Sequence, residues 1–251
     1  MAPKQNAFDQ KKSAILSEIK SVSPDLSPKG SIDELCLPII HLINSHEDMV
    51  TTSSCSGRLS VFAEGSKDVK SKIGGKGDGG KWLFVTHDKN AVSDWTSQFN
   101  FTVAKDMRTD STTRYILYKY EPFILHVKCR DFASASQLYN TAMSCGFRES
   151  GIGSNHIVAV RISIKLDVPI GTFLDDQLQL FVEERYLSML NNITLMKFQD
   201  NERKMRELYD KIQNEIIGKP LQETTAQPET KAERFERKRR EGLERQRQLQ
   251  K

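Results

Sequence analysis

The sequence predicts an α+β protein in which a mixed β-sheet is covered by helices and followed by a long C-terminal helix, on a plan that is not the Rossmann type. Three observations carry this. Apolar residues recur at helical spacing near both ends of the chain, whereas residues 49–164 consist largely of short β-rich runs broken by Gly, Pro and polar clusters. Helices come first, then strands interrupted by single helices, which suits a sheet with helices laid over it more than alternating βαβ units. The strand, G-x-G, helix opening of a dinucleotide-binding unit is missing, since Gly57 follows a cysteine-serine pair.

Phe8, Ile15, Leu16 and Ile19 share one face and predict an amphipathic helix over 6–21, ended by Pro24, Pro28 and Gly30. Ser31-Ile32-Asp33-Glu34 has the S-x-x-E pattern of a capping box. The helix it would open carries Leu35, Ile39, Ile40 and Ile43, and Pro38 should kink or restart it. Met49 to Ser53 and Leu59 to Ala63 read as the strands of a hairpin whose turn lies in Thr51-Thr52-Ser53-Ser54-Cys55-Ser56-Gly57-Arg58. Such a stretch gathers hydroxyls, backbone N–H groups and one fixed cation, which is equipment for a carboxylate, a phosphate or a ribose; it is equally a Ser-rich turn with a solvated Arg.

The loop Gly65 to Lys81 places Gly75, Gly80 and Lys81 at P-loop spacing, but Trp82 follows where Ser or Thr and a helix are needed, so a nucleotide triphosphatase is rejected. Trp82 to His87 is a strand, and Val92, Trp95 and Phe99 mark a short helix over 90–99. Tyr115 to Lys119 and Phe123 to Cys129, divided by Glu121-Pro122, are two strands or one interrupted strand. Asp131 caps a helix that Gly146 closes; Phe147 to Ile152 is short and extended, Ile157 to Ile164 is a strand, and Leu166 to Pro169 turns the chain out of the sheet. Residues 181–216 form the long helix, its second part (NERKMRELYDK) charged enough to project.

At 251 residues the chain is sized for one catalytic domain, 1–218, and an appendage. Residues 219–251 carry ten Lys or Arg against six Asp or Glu, while 1–218 carry 27 against 27. The basic character therefore belongs to the tail, which is read as disordered or as a solvated helix. Cys36, Cys55, Cys129 and Cys145 form no C-x-x-C pair, so neither a metal site nor a disulfide framework is expected. No leader-like or membrane-spanning apolar run is present, and a reducing, cytoplasmic setting is the expectation.

His87 ends a strand and His126 lies inside one; each is a candidate acid or base, or a structural histidine. Cys55 could be a nucleophile if either imidazole reached it, or a packing residue. Arg58, Arg130 and Arg161 lie at turns beside β runs, where guanidinium groups could bind phosphates, and Lys81 with Trp82 could offer a cation and a flat ring to a base or ribose.

TTSSCSGR (51–58), WLFVTH (82–87), EPFILHVKCR (121–130), CGFRESGI (145–152), VAVR and LDVPI (158–161, 166–170) and EERYLSML (183–190) occur in an order that resembles the methyltransferases of wybutosine biosynthesis, from about Ser31 to Tyr209. The resemblance implies S-adenosylmethionine as cofactor and N4 of the tricyclic 4-demethylwyosine base, 3′ of the anticodon in phenylalanine tRNA, as acceptor. It also implies that Ser53, Ser54, Cys55, Ser56, Gly57 and Arg58 surround the cofactor or target nucleotide, with Ser150 and Gly151 completing the pocket. His87 or His126 would accept the N4 proton, with Cys55 a wall and not a methyl carrier. Lys81, Trp82, Arg130 and Arg161 would meet the RNA, helped by the Gly/Lys loop and the tail, and other enzymes of the pathway are candidate partners. A tRNA-binding protein without catalysis and a Cys-His hydrolase or transferase are the alternatives.

Overall fold

The computed structural model describes residues 6–21, 30–65, 79–104, 112–174 and 177–218, with Glu236, Arg239 and Arg240. Contacts divide the chain into Met1–Gly218 and Lys219–Lys251. Of the second unit the three described residues are helical. Most of the Gly/Lys loop and of the basic tail lie outside the described residues.

Helix α1, Ala7–Ile19, is capped by the Asn6 side chain, which accepts from the Phe8 N–H at 3.0 Å. Its one fully buried residue, Phe8, lies 4.7 Å beneath the Arg130 guanidinium, which also pairs with Asp9 and Asp48. The expected capping box does not form. Asp33 instead precedes a 3₁₀ turn, Glu34–Cys36, and its side chain caps nothing there. Its carboxylate is drawn off to Ser56, accepting from the backbone N–H at 2.8 Å and from the hydroxyl at 3.1 Å. Helix α2 restarts at Leu37–Ser45 with Pro38 in the first turn, where the missing N–H has no helical partner to lose.

The sheet has eight strands among the described residues, β1 Met49–Ala63, β2 Lys81–Thr86, β3 Phe101–Val103, β4 Tyr115–Cys129, β5 Gly151–Ile152, β6 Ile157–Arg161, β7 Leu166–Leu174 and β8 Gln177–Leu180. The main order is β2-β1-β4-β7-β8-β3, with β6 on β4 and β5 on β6. All pairs are antiparallel except β3 with β8, so the sheet is mixed, as the sequence predicts. The hairpin at Cys55 is absent. Residues 49–63 run straight through as β1, paired with β4 from Met49↔Cys129 to Ala63↔Ile116, with a bulge at Thr52.

Glu121-Pro122 interrupts β4 without ending it. Buried positions are 116, 118 and 120 before that step and 123, 125, 127 and 129 after it, so the strand changes which alternate residues face the core. Two apolar cores result, one under α2 and the helix α3, Phe132–Ser144, and one around Trp95, Tyr118 and Ile170. Asp131 caps α3 as expected, accepting from the Ser134 N–H at 2.8 Å.

Three other expectations need correction. Residues 90–99 form two 3₁₀ turns, Lys89–Ala91 and Thr96–Gln98, about a buried Trp95; the stretch is rich in Ser, Thr and Asn, which favour turns over helix interiors. Leu166 to Pro169 does not leave the sheet but opens β7, Pro169 standing opposite Leu117 where the register shifts. The charged half of the long helix does not project. Helix α4, Glu184–Ile212, continues as a π turn Gln213–Ile217, and it buries Leu187, Leu190 and Phe198 in one core and Met205, Leu208 and Ile212 in the other. Its charges occupy the remaining face.

Gly171 permits β7 and β8 to approach closely: a Cβ there would stand 2.2 Å from the Gln179 carbonyl oxygen. Gly171→Ala is expected to cost about 1–3 kcal/mol by overpacking, read as a lower melting temperature with the helical circular dichroism retained.

Candidate active site on the sheet face opposite the helices

The face of β4 turned away from the helices carries the polar residues that the sequence singles out. Antiparallel partners share a face, so register alone assembles rows of side chains. One row runs across four strands: Ser53 opposite His126, His126 opposite Ala159, and Ala159 opposite Gly151. Within it the Ser53 hydroxyl lies 2.8 Å from His126 Nδ1. Beside the imidazole the row falls away to a methyl group and then to no side chain. A Cβ added at Gly151 would meet no heavy atom within 4 Å, so this part of the floor is open.

The next row is Cys55, Ile124 and Arg161. Ser150 binds in here, its hydroxyl accepting from the Arg161 N–H at 3.1 Å. Burial, and after it the Arg161 charge, holds the His126 imidazolium below the usual histidine range. The ring is therefore neutral near pH 7 and able to accept a proton.

Strand β2 pairs with β1 only over Leu59–Ala63, so among the described residues the earlier part of β1 has no strand on that side. Asp33 and His87 stand there instead. Cys55 Sγ lies 3.6 Å from His87 Nε2, and Asp33 Oδ2 lies 3.7 Å from the same nitrogen. Burial pushes the Cys55 thiol up, so it is a neutral thiol and not an activated nucleophile. The wiring differs from a nucleophile-base-acid triad as well, because thiol and carboxylate address one ring nitrogen instead of opposite ones.

Farther along β1, Arg58 donates to Glu121 across the strand pair at 2.7 Å and lies 5.2 Å from the ring centroid of Trp82. Trp82 packs on Phe62 at 5.0 Å yet remains 39% exposed, a supported ring with a cation beside it. The cation next to Trp82 is thus Arg58 and not Lys81, which reaches Phe173 together with Arg114. Ser54 pairs with Leu125 and so lies on the core side of the strand, and Ser56 is buried against Asp33. Arg130, committed to Phe8, Asp9 and Asp48, is a brace for α1 and does not join the cluster.

Sequence reasoning missed two residues here. Asp33 was hidden by the capping pattern around it. Asn201, fully buried in α4, accepts from the Phe123 N–H and donates to the Ser56 carbonyl, both at 2.8 Å, and so bridges β1 and β4 below the site. Its signal was available: it occupies the stripe of Thr194, Phe198, Met205 and Leu208, where an amide is out of place unless it has partners. Gly57, at φ +102°, completes the seam, and a Cβ on it would stand 3.2 Å from the Asn201 amide.

The family model described as Methyltransferase TYW3 matches residues 10–214. A Saccharomyces cerevisiae protein, tRNA wybutosine-synthesizing protein 3, is 61% identical over 98% of this chain and 96% of its own length. The Arabidopsis thaliana tRNA wybutosine-synthesizing protein 2/3/4 is 37% identical over 78% of this chain, a match that occupies 20% of that longer protein. A solved protein of Pyrococcus horikoshii OT3 superposes with a TM-score of 0.63 at 29% identity, covering 84% of this chain and 95% of its own.

Proposed function

The chain belongs to the Methyltransferase TYW3 family, and from that premise we propose that it methylates N4 of the 4-demethylwyosine base in phenylalanine tRNA, with S-adenosylmethionine as donor. Methyl transfer in wybutosine synthesis comes with the family. The observation that supports the finer reading is the row Ser53, His126, Ala159 and Gly151, in which an imidazole held by a hydroxyl borders an open floor.

The residues present fit the donor: open space over Gly151, the Ser53 and Ser150 hydroxyls beside it, and an exposed Trp82 ring next to the Arg58 cation offer places for polar groups and a flat purine. When bound, S-adenosylmethionine supplies a methyl group on a positively charged sulfur, open to in-line attack by a nitrogen. The protein aligns the acceptor and keeps water out. His126 takes the N4 proton. With Nδ1–H donated to Ser53 Oγ, the ring leaves Nε2 as the accepting atom. Arg58, fixed by Glu121, presents a cation to a carboxylate or phosphate, and Arg161 does so at the other end of the floor.

No helix among the described residues is long and apolar enough to cross a membrane, and all four cysteines are free, which suits action in the cytoplasm. The 2/3/4 arrangement of the Arabidopsis protein, in which a segment like this chain is one part of a longer one, supports contact with other enzymes of the pathway.

The test is incubation of the purified protein with radiolabelled S-adenosylmethionine and phenylalanine tRNA from cells lacking it, followed by nucleoside analysis. Label is expected in the wyosine nucleoside. Arg58→Ala should fold and lose about tenfold or more in kcat/KM, the scale of one charge-assisted hydrogen bond. Bound tRNA without label would mean an RNA-binding protein without catalysis.

A further inference from the structure

Asp33, Cys55 and His87 come from a segment before α2, the middle of β1 and the end of β2, and no local spacing links them. In the fold their donor atoms all lie within 4.8 Å of one another. Asp33 Oδ2 lies 3.7 Å and Cys55 Sγ 3.6 Å from the same ring nitrogen, His87 Nε2. A single ring nitrogen carries one proton at most. Thiol and carboxylate both address that one nitrogen.

One cation can hold all three. Zinc takes sulfur at about 2.3 Å and nitrogen or oxygen at about 2.0 Å in a tetrahedron, which puts the donors about 3.3–3.6 Å apart. The sulfur–nitrogen separation of 3.6 Å matches its edge, and the nitrogen–oxygen separation of 3.7 Å is a few tenths of an ångström longer than its own. We propose that Asp33, Cys55 and His87 form a three-ligand site for a zinc-class divalent cation, with a fourth position left for water or a ligand.

The surroundings support this on independent grounds. Asp33 Oδ2 is held by the Ser56 N–H and hydroxyl, the kind of outer contact that orients a ligating carboxylate. A thiolate, imidazole and carboxylate set suits zinc or cobalt and is wrong for calcium or magnesium, which prefer oxygen throughout. The Asp33 side chain is 8% exposed and that of His87 23%, so the cluster is enclosed on one side and reachable from the other. Binding breaks the Cys55 S–H bond, forms a sulfur-to-metal bond and releases the proton to solvent. His87 then serves as a ligand, and proton acceptance in methyl transfer stays with His126.

The experiment needs neither S-adenosylmethionine nor tRNA, so it can fail without touching the methyltransferase reading, and the reverse. Full-length protein stripped with a chelator is titrated with cobalt(II) and followed by absorption. One equivalent should bind, with near-ultraviolet sulfur-to-cobalt charge transfer and visible bands of four-coordinate cobalt, both abolished by added zinc. Cys55→Ser should remove the charge-transfer band, and His87→Ala should weaken binding at least tenfold, with far-ultraviolet circular dichroism showing that each variant folds. Asp33 is left alone because it also anchors Ser56. The other three cysteines are buried, so zinc should also slow alkylation of the native protein, which reports Cys55. A charge-transfer band that survives in Cys55→Ser, an absent band at millimolar cobalt, or alkylation unaffected by zinc would each overturn the site.

Discussion

Replacing His126 with alanine is expected to lower methyl transfer about 10²–10⁴-fold, the range of a positioned general base, with the sheet intact. His126 points away from both cores, and its ring meets the exposed Ser53 hydroxyl, so little packing is lost. The pH profile provides a sharper reading. The folded imidazole is held below 6.5 by burial and then by Arg161, so the basic form persists as pH falls past 6.5 and kcat/KM should drop only at lower pH. Arg161→Ala removes the charge that opposes protonation, and its acid limb should move up toward the ordinary histidine value. A wild-type rate in His126→Ala would show that the proton leaves by another route, and an acid limb that stays in place in Arg161→Ala would leave burial as the cause of the lowered His126 pKa.

Asn201→Leu is expected to destabilise the fold by about 2–6 kcal/mol, since two buried backbone groups each lose their partner at about 1–3 kcal/mol. The Phe123 N–H and the Ser56 carbonyl both depend on this amide, and leucine fills the volume while offering neither donor nor acceptor. Asn201→Asp should lose at least as much near pH 7, because it keeps an acceptor for Phe123 but sets a buried carboxylate oxygen against the Ser56 carbonyl. Urea unfolding of the three proteins measures this ordering; a Leu variant within 0.5 kcal/mol of the parent, an order-of-magnitude bound for an innocuous change, would mean that water enters the seam and replaces the amide.

The sheet and its helices were legible because burial leaves periodicities: Ile39, Ile40 and Ile43 on α2, and Leu125, Val127 and Cys129 on β4. What misled was polarity. Thr51 to Arg58 resembled a turn because a strand with hydroxyls, a thiol and an arginine has no apolar alternation to announce it, yet it is polar because one face of it lines the site. The charged run after Asp200 concealed Met205 in the same way, since four residues in seven on a helix can face water while the rest are buried. The site was legible in its parts and not in its wiring. That Ser53 meets His126 follows from strand register over 73 residues of separation, and that Asp33 turns to Ser56 follows from the absence of a β2 partner before Leu59; neither is encoded by local spacing.

The bridging amide in α4 also has a consequence for how the protein is made. Strands β1 and β4 emerge from the ribosome well before residue 201, so until then their shared seam has two peptide groups unmet and two apolar surfaces only partly covered. The C-terminal helix is the piece that covers both surfaces and closes the seam at one stroke. A nascent chain stalled before Glu184 therefore lacks the one element that reaches both cores, and the fold can be completed only after nearly the whole of the first unit has been translated.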